Sequence, residues 1–409
     1  MRRLLPEHFA RYWWAATISY LGDGVLLAGL PLLAATLTKD PLLIAGTQVA
    51  LGLAWLVFGP FAGLVGDRIN RRQLMVAVDI GRAAAIGILA LSVLGGWVSL
   101  PLIYGVALLL GVGTVLFDPA AQAAIPNVVG ADNIAQAGGA ISASSSGARD
   151  LLGPAIGGIV FAFAAWAPFA LDSVSFIISA LLVVGLVGNF ASGPRERAVS
   201  VRHDFVAGWR YLRQNRVLRL FAGFGAIGNF AAAGLEATFV VFAFRILHVG
   251  AAGYGLVLAG GAAGGVVAGL LTHRLIERFG TGTTNTASWL VAGVIAPIAA
   301  FCGQPVLCTL LLSVVFGGAV TGSIISFTLR QELTPDSMRA RVGGLVLSIQ
   351  MGGWAVGALV GGLLARGISP RAPLIFYGVV SLAVGVVTGI TCGNGTIDDA
   401  RSAVSPTST

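Results

Sequence analysis

Lysine is all but missing: of 25 basic residues in a 409-residue chain only Lys39, between Thr38 and Asp40, is a lysine. A phosphate-cradling Walker loop needs Gly-Lys-Ser or Gly-Lys-Thr, so the chain cannot drive itself with ATP in that way. Histidine is scarce too. His8, His203, His248 and His273 form no i, i+4 pair and no His-Glu-x-x-His, which removes the case for zinc hydrolysis. The three cysteines, Cys302, Cys308 and Cys392, lie in or beside apolar segments and read as buried free thiols, with a Cys302 to Cys308 bridge as the other reading. No enzyme, metal or cofactor is expected. Charge is the largest deficit: 10% of residues are charged and 56% hydrophobic, too little polar surface for a protein whose solvent is water.

What is present is a series of apolar stretches of roughly 20 residues, recurring every 30 to 35 or so, the length a helix needs to cross a bilayer. Twelve are expected: 12–37, 42–65, 74–95, 100–122, 136–164 and 168–188, then 218–247, 253–276, 284–302, 306–329, 342–365 and 372–392. The first begins after Met1-Arg2-Arg3 but is too long for a cleaved leader and contains Asp23, so it reads as a retained span. The fold class is therefore an all-α membrane protein of twelve transmembrane helices in two six-helix, pseudo-symmetric halves. The organisation expected is a first half at 1–188, a linker at 189–217, a second half at 218–392 and a disordered tail at 393–409. Within the linker, Phe205, Trp209 and Leu212 share a helical face beside Arg210 and Arg213, the pattern of an amphipathic helix on a membrane surface.

The net charge of +8 invites a nucleic-acid partner until the basic residues are placed. With the N-terminus inside, the outer loops hold only Lys39, Arg245, Arg366 and Arg371, and Arg82 and Arg149 lie within spans, so the remaining basic residues crowd one side. That is the positive-inside bias, and it predicts an inner or plasma membrane protein with both termini cytoplasmic and no nucleic-acid partner.

Between the second and third spans stands Gly63-Leu64-Val65-Gly66-Asp67-Arg68-Ile69-Asn70-Arg71-Arg72. It resembles the signature loop of the major facilitator superfamily, Gly-x-x-x-Asp-Arg/Lys-x-Gly-Arg/Lys-Arg/Lys, with Asn70 in place of the usual glycine. Asparagine tolerates the left-handed backbone such a turn requires. The resemblance implies that Gly63 and Gly66 ease a helix crossing, that Asp67 faces the positive end of the eleventh helix, and that Arg68, Arg71 and Arg72 hold an inner gate through carboxylates or lipid phosphates. The alternative is that these arginines only fix topology. In the fifth span Gly153-Pro154-Ala155-Ile156-Gly157-Gly158 resembles the Gly-Pro-x-x-Gly-Gly element of drug-exporting antiporters, although Arg149 stands where the fuller pattern has glycine. Further segments, among them Phe117-Asp118-Pro119-Ala120 and Gly208-Trp209-Arg210-Tyr211-Leu212, are similar to the enterobactin-exporter and macrolide-efflux branch.

A charge at the bilayer centre costs about 2.5 to 3.5 kcal/mol, so ionisable residues within spans are candidates for function. Asp23 lies about 15 Å into the first span and Glu236 at comparable depth in the seventh. Each reads as a proton or substrate-cation site, or as a structural carboxylate. Arg149 is expected to reach Asp118 or Asp23, as a relay or as a bridge. Asp79 and Arg82, three apart, read as a structural pair, and Asp172 as a carboxylate reaching water. Trp55, Phe58, Phe239 and Trp354 are candidates to stack on an amphipathic substrate. The resemblance implies a monomeric secondary transporter that exports a drug, antibiotic or siderophore in exchange for protons, in contact with membrane lipid. Proton-coupled uptake and a non-transporting receptor or scaffold are the competing readings.

Overall fold

A computed structural model of the chain describes residues 7–66, 70–129, 133–186 and 201–404. These are almost wholly helical. In the first half α1 runs over Glu7–Leu37, α2 over Pro41–Gly66, α3 over Arg71–Leu94 and α4 over Leu100–Val129. Next come α5 at Ile134–Ser144, a π-helical stretch at Ser145–Leu152, α6 at Gly153–Phe163 and α7 at Ala167–Val184. The second half contains α8 (Val201–Gln214), α9 (Arg216–Arg245), α10 (Ala251–Phe279), α11 (Thr281–Phe301), α12 (Pro305–Glu332), α13 (Asp336–Gly367), α14 (Ala372–Thr391) and α15 (Asn394–Val404). Eleven helices among the described residues are individually long and apolar enough to cross a membrane. The remaining expected span is present as α5, the π stretch and α6 in unbroken succession, pieces of 11, 8 and 11 residues.

Local chemistry explains the boundaries. Proline opens α2 and α12 and stands in the first turn of α7 and α14, where its missing N–H costs no helical hydrogen bond, whereas Pro154 falls inside the continuous α5–π–α6 span and removes one there. Gly280, at φ +84°, makes the tight corner between α10 and α11 that a side chain would resist. Asn70 behaves differently from the expectation. Its backbone is at φ −56°, ψ 121°, outside the left-handed region, and its side chain caps α3 by accepting from the N–H groups of Arg72 at 3.0 Å and Gln73 at 3.4 Å. The residue that replaces glycine here supplies a cap, not a turn.

The chain divides into two compact units, the first formed by 1–194 with 240–259 and the second by 195–239 with 260–409. In the first, the α6 glycines are crossing points. A Cβ on Gly153 or Gly157 would run into the backbone of Gly24 or Val25 on α1, and one on Gly158 would lie 2.8 Å from Gly255 Cα on α10. Such contacts, together with the Arg245 guanidinium donating to the Lys39 carbonyl at 2.6 Å, tie the segment 240–259 to the first unit. In the second unit α9 and α13 cross just as closely, with a Cβ on Gly234 placed 2.9 Å from the Gly357 carbonyl.

Two peripheral segments bear on the expectations. Helix α8 packs on α13, its Gly208 facing the Arg341 carbonyl, while Tyr211 donates to the Leu333 carbonyl at 2.7 Å and Leu212 is buried. Trp209, placed on the same face as Leu212 in the sequence reading, is exposed instead. The tail, expected to be disordered, forms α15 as far as Val404. Asn394 there accepts from the N–H groups of Gly282 and Thr283 at 2.7 and 3.1 Å and so caps α11 from a distance, and Arg401 meets Glu332 at 2.8 Å. This short helix is held at its start by that cap and along its length by Ile397, fully buried in the second unit's apolar core with Ala400 packed against it.

Candidate functional site

In the first unit four helices converge on a group of ionisable side chains within the apolar bundle. Helix α1 contributes Tyr12, Tyr20 and Asp23, α3 contributes Asp79 and Arg82, α4 contributes Phe117 and Asp118, and α7 contributes Asp172 and Ser179. Asp79 is fully buried and accepts a hydrogen bond from Ser179 Oγ at 2.8 Å. Arg82, three residues on and 5% exposed, places Nη1 3.9 Å from Asp79 Oδ1. The guanidinium is held between the rings of Phe117 and Phe176, 5.2 and 5.3 Å from their centroids. Its Nε and Nη2 make no hydrogen bond among the described residues. A cation so placed is stabilised by ring faces and by diffuse carboxylate fields, and those fields come from Asp79, Asp118 and Asp172.

Asp172 corrects the reading that it reaches water. It is 0% exposed, one oxygen accepting from Ser175 Oγ at 3.0 Å and the other unpartnered. Helix α7 buries Phe169, Asp172, Ser175, Phe176, Ser179 and Val183 together, so the carboxyl shares the packed stripe. Gly22 on α1 leaves the space it fills, since a Cβ there would overlap Asp172 Oδ1.

Arg149 sits in the π stretch between α5 and α6. Its backbone abuts Gly24, whose Cβ would strike the Arg149 carbonyl, and Asp23, Asp150 and Asp118 act on its charge through space, Asp23 most strongly. Both expected partners of Arg149, Asp118 and Asp23, are among the carboxylates that act on it. Asp23 itself is half-buried and, with Tyr12, Tyr20, Arg82 and Asp118, borders a cavity of about 20 Å³, room for a water. π-helical turns inside α-helices recur at functional positions because they turn a side chain off the regular face.

The signature-loop residues are only partly in view. Gly63 and Gly66 lie near the end of α2, whereas Asp67 and Arg68 fall outside the described residues. Arg71 donates to the Ala123 carbonyl at 3.0 Å and Arg72 to the Leu186 carbonyl at 2.9 Å. Both therefore tie helix ends within the first unit, where carboxylate or phosphate partners were expected.

The second unit has a larger cavity of about 310 Å³ between α9, α11, α12, α13 and α14. None of Trp55, Phe58, Phe239 and Trp354 lines it. Phe239 is buried at 4% exposure and Phe58 is exposed. The cavity wall consists of other aromatics, Phe221, Phe224, Trp289 and Phe327, and of polar groups that include Asn285, Gln350 and Arg330. Glu236 on α9 is half-buried and acts on Tyr377, which lines the cavity, without lining it itself. No cluster of three or more metal-ligating side chains occurs among the described residues.

Comparison with known proteins agrees with this architecture. The family described as transmembrane secretion effector, of the MFS class, matches residues 3–405. An enterobactin exporter, EntS, of Citrobacter koseri is 27% identical over 401 residues, covering 95% of this chain and 93% of its own. An uncharacterized MFS-type transporter of Mycobacterium tuberculosis is 28% identical over 341 residues, 74% of each chain. Among solved structures, the nucleoside transporter NupG, in a mutant form, superposes with a TM-score of 0.74 at 13% identity, covering 94% of this chain and 100% of its own. A bacterial homologue of the iron transporter ferroportin gives 0.72 at 16% identity, with 97% and 98% covered.

Proposed function

This chain belongs to the transmembrane secretion effector family of major facilitator transporters, and we propose that it exports a small amphipathic molecule in exchange for protons. It is a multi-pass membrane transporter of small molecules and not an enzyme. The enterobactin exporter of Citrobacter koseri, alike over nearly the whole length, supports the outward direction. A drug, an antibiotic and a siderophore all remain within the proposal. The distribution of arginine supports termini on the cytoplasmic side.

The observation that carries the coupling is the position of Asp23. With Asp118 it is a half-buried carboxylate of the cluster, it borders a water-sized cavity, and its charge acts on Arg149 in the π stretch. A proton arriving there removes one side of that interaction, and α1 and the α5–α6 segment, in contact through Gly24 and Gly153, sense the change directly. Substrate binding that favours the other protonation state closes an exchange cycle. Everted membrane vesicles test this. Adding the exported compound to energised vesicles should release protons from the lumen, and Asp23→Asn should abolish the release while the protein stays in the membrane. Substrate accumulation with no proton movement sinks the coupling, and proton-linked movement in the opposite sense makes the protein an importer.

A further inference from the structure

We propose that the second-unit cavity binds an aromatic oxyanion, a ring system carrying a carboxylate or comparable acid group, and does not bind a cation. This rests on the transport reading above and narrows its substrate class. Among the described residues lining the cavity, Arg330 is the one charged side chain and no carboxylate is present. A site for an amphipathic cation needs an acidic group or an open aromatic cage to offset the cost of dehydrating the ligand. One lining aromatic face, that of Phe327, is already taken by a cation, because the Arg330 guanidinium lies 5.3 Å from its centroid.

Hydrogen-bonding capacity points the same way. Asn285, 1% exposed, lines the cavity, and its Nδ2 has no partner among the described residues. A buried N–H donor without an acceptor costs about 1 to 3 kcal/mol, a deficit that a ligand oxygen removes. Gln350 lines the same space from α13 and is close enough to α9 that a Cβ on Gly225 would overlap its amide. Trp289 is packed against Gly228, leaving its ring as one wall. The distance fits as well: Ala319 and Arg330 both line the cavity, and eleven residues of helix separate them by about 16 Å. That span accommodates a flat ring with its acid group toward Arg330. The volume, about 310 Å³, is at the lower end for drug-sized sites, so the occupant is compact.

Three naphthalene probes of equal shape separate the possibilities: 2-naphthoate, 2-naphthamide and 2-naphthylmethylammonium. Binding to the full-length protein in nanodiscs, followed by equilibrium dialysis, should favour the naphthoate over the ammonium by about tenfold or more. Arg330→Gln should erase that preference, Arg330→Lys should restore most of it, and Asn285→Leu should weaken the naphthoate while sparing the gap between anion and amide. Equal binding of the three, a preference for the ammonium, absence of naphthoate binding at millimolar concentration, or a preference indifferent to Arg330→Gln each overturns the assignment. Everted vesicles keep the two claims apart. Proton-linked flux of a cationic compound with no naphthoate binding refutes the oxyanion site and leaves export standing, whereas naphthoate binding without proton-linked flux does the reverse.

Discussion

Replacing Arg82 by methionine, which keeps much of its length and bulk, isolates what the buried cation does. In the native protein Asp79 is 0% exposed, with Ser179 Oγ at 2.8 Å and the Arg82 guanidinium 3.9 Å away. Removing the cation leaves an uncompensated charge inside the bundle, a loss of about 3 to 5 kcal/mol. The two ring contacts, at 5.2 and 5.3 Å, add about 1 to 2 kcal/mol. Asp79→Asn should cost less, about 1 to 3 kcal/mol, because Arg82 keeps both rings and the fields of Asp118 and Asp172. The double variant should then lie below the sum of the single costs by about 1 to 3 kcal/mol, since the second change removes a charge the first has stranded. Reversible unfolding in mixed micelles, run as a complete cycle, measures this coupling. If the two costs add to within about 0.5 kcal/mol, the residues are independent and the cluster does not act as one unit.

Other positions give sharper local tests. Asn70→Ala should destabilise the start of α3 by about 1 kcal/mol and Asn70→Asp by far less, read from the same unfolding assay, because the side-chain oxygen is what caps the helix. Gly24→Val should abolish transport at normal membrane levels, as its side chain collides with the Arg149 carbonyl, whereas Gly139→Ala, which meets open space, should transport normally. Ending the chain before Asn394 should speed hydrogen exchange at the Gly282 and Thr283 amides several-fold, and Asn394→Ala should reproduce most of the effect, both by mass spectrometry.

The helices were legible because the bilayer imposes a length on apolar runs, and segments such as 42–65 and 306–329 match α2 and α12 within a few residues. What the sequence concealed was the distinction between lipid-facing and core-facing surfaces. In water an apolar stripe marks the core, but Leu181 at 67% exposure and Val183 at 1% stand two apart on α7 and are chemically alike. Asp172 was misjudged for the same reason: its distance from the span end suggested water, while its register with Phe169 and Phe176 placed it inside. Asn70 was misread because its capping role depends on the N–H groups ahead of it, and a glycine-based motif draws attention to backbone freedom instead.

None of the four aromatic candidates lines the second-unit cavity, and the residues that do line it point to a better rule for chains of this kind. Since aromatic residues serve lipid contact, packing and binding alike, their presence at mid-span carries little information about a cavity. Small and polar residues within spans carry more, because hydrocarbon gives them no partner. On α12 the lining positions Ala319, Gly322, Ser323, Ser326 and Arg330 follow the spacing of one helical face, and on α9 Phe221, Phe224, Gly225, Gly228 and Ala232 do the same. A face on which serine, glycine and a terminal arginine recur gains little from lipid and packs closely against neighbouring helices, so the pattern favours an inward direction. Asn285 and Trp289, one turn apart on α11, extend the same surface from a neighbouring helix. The polar register, and not the aromatic count, is therefore the sequence feature that follows the wall of the cavity.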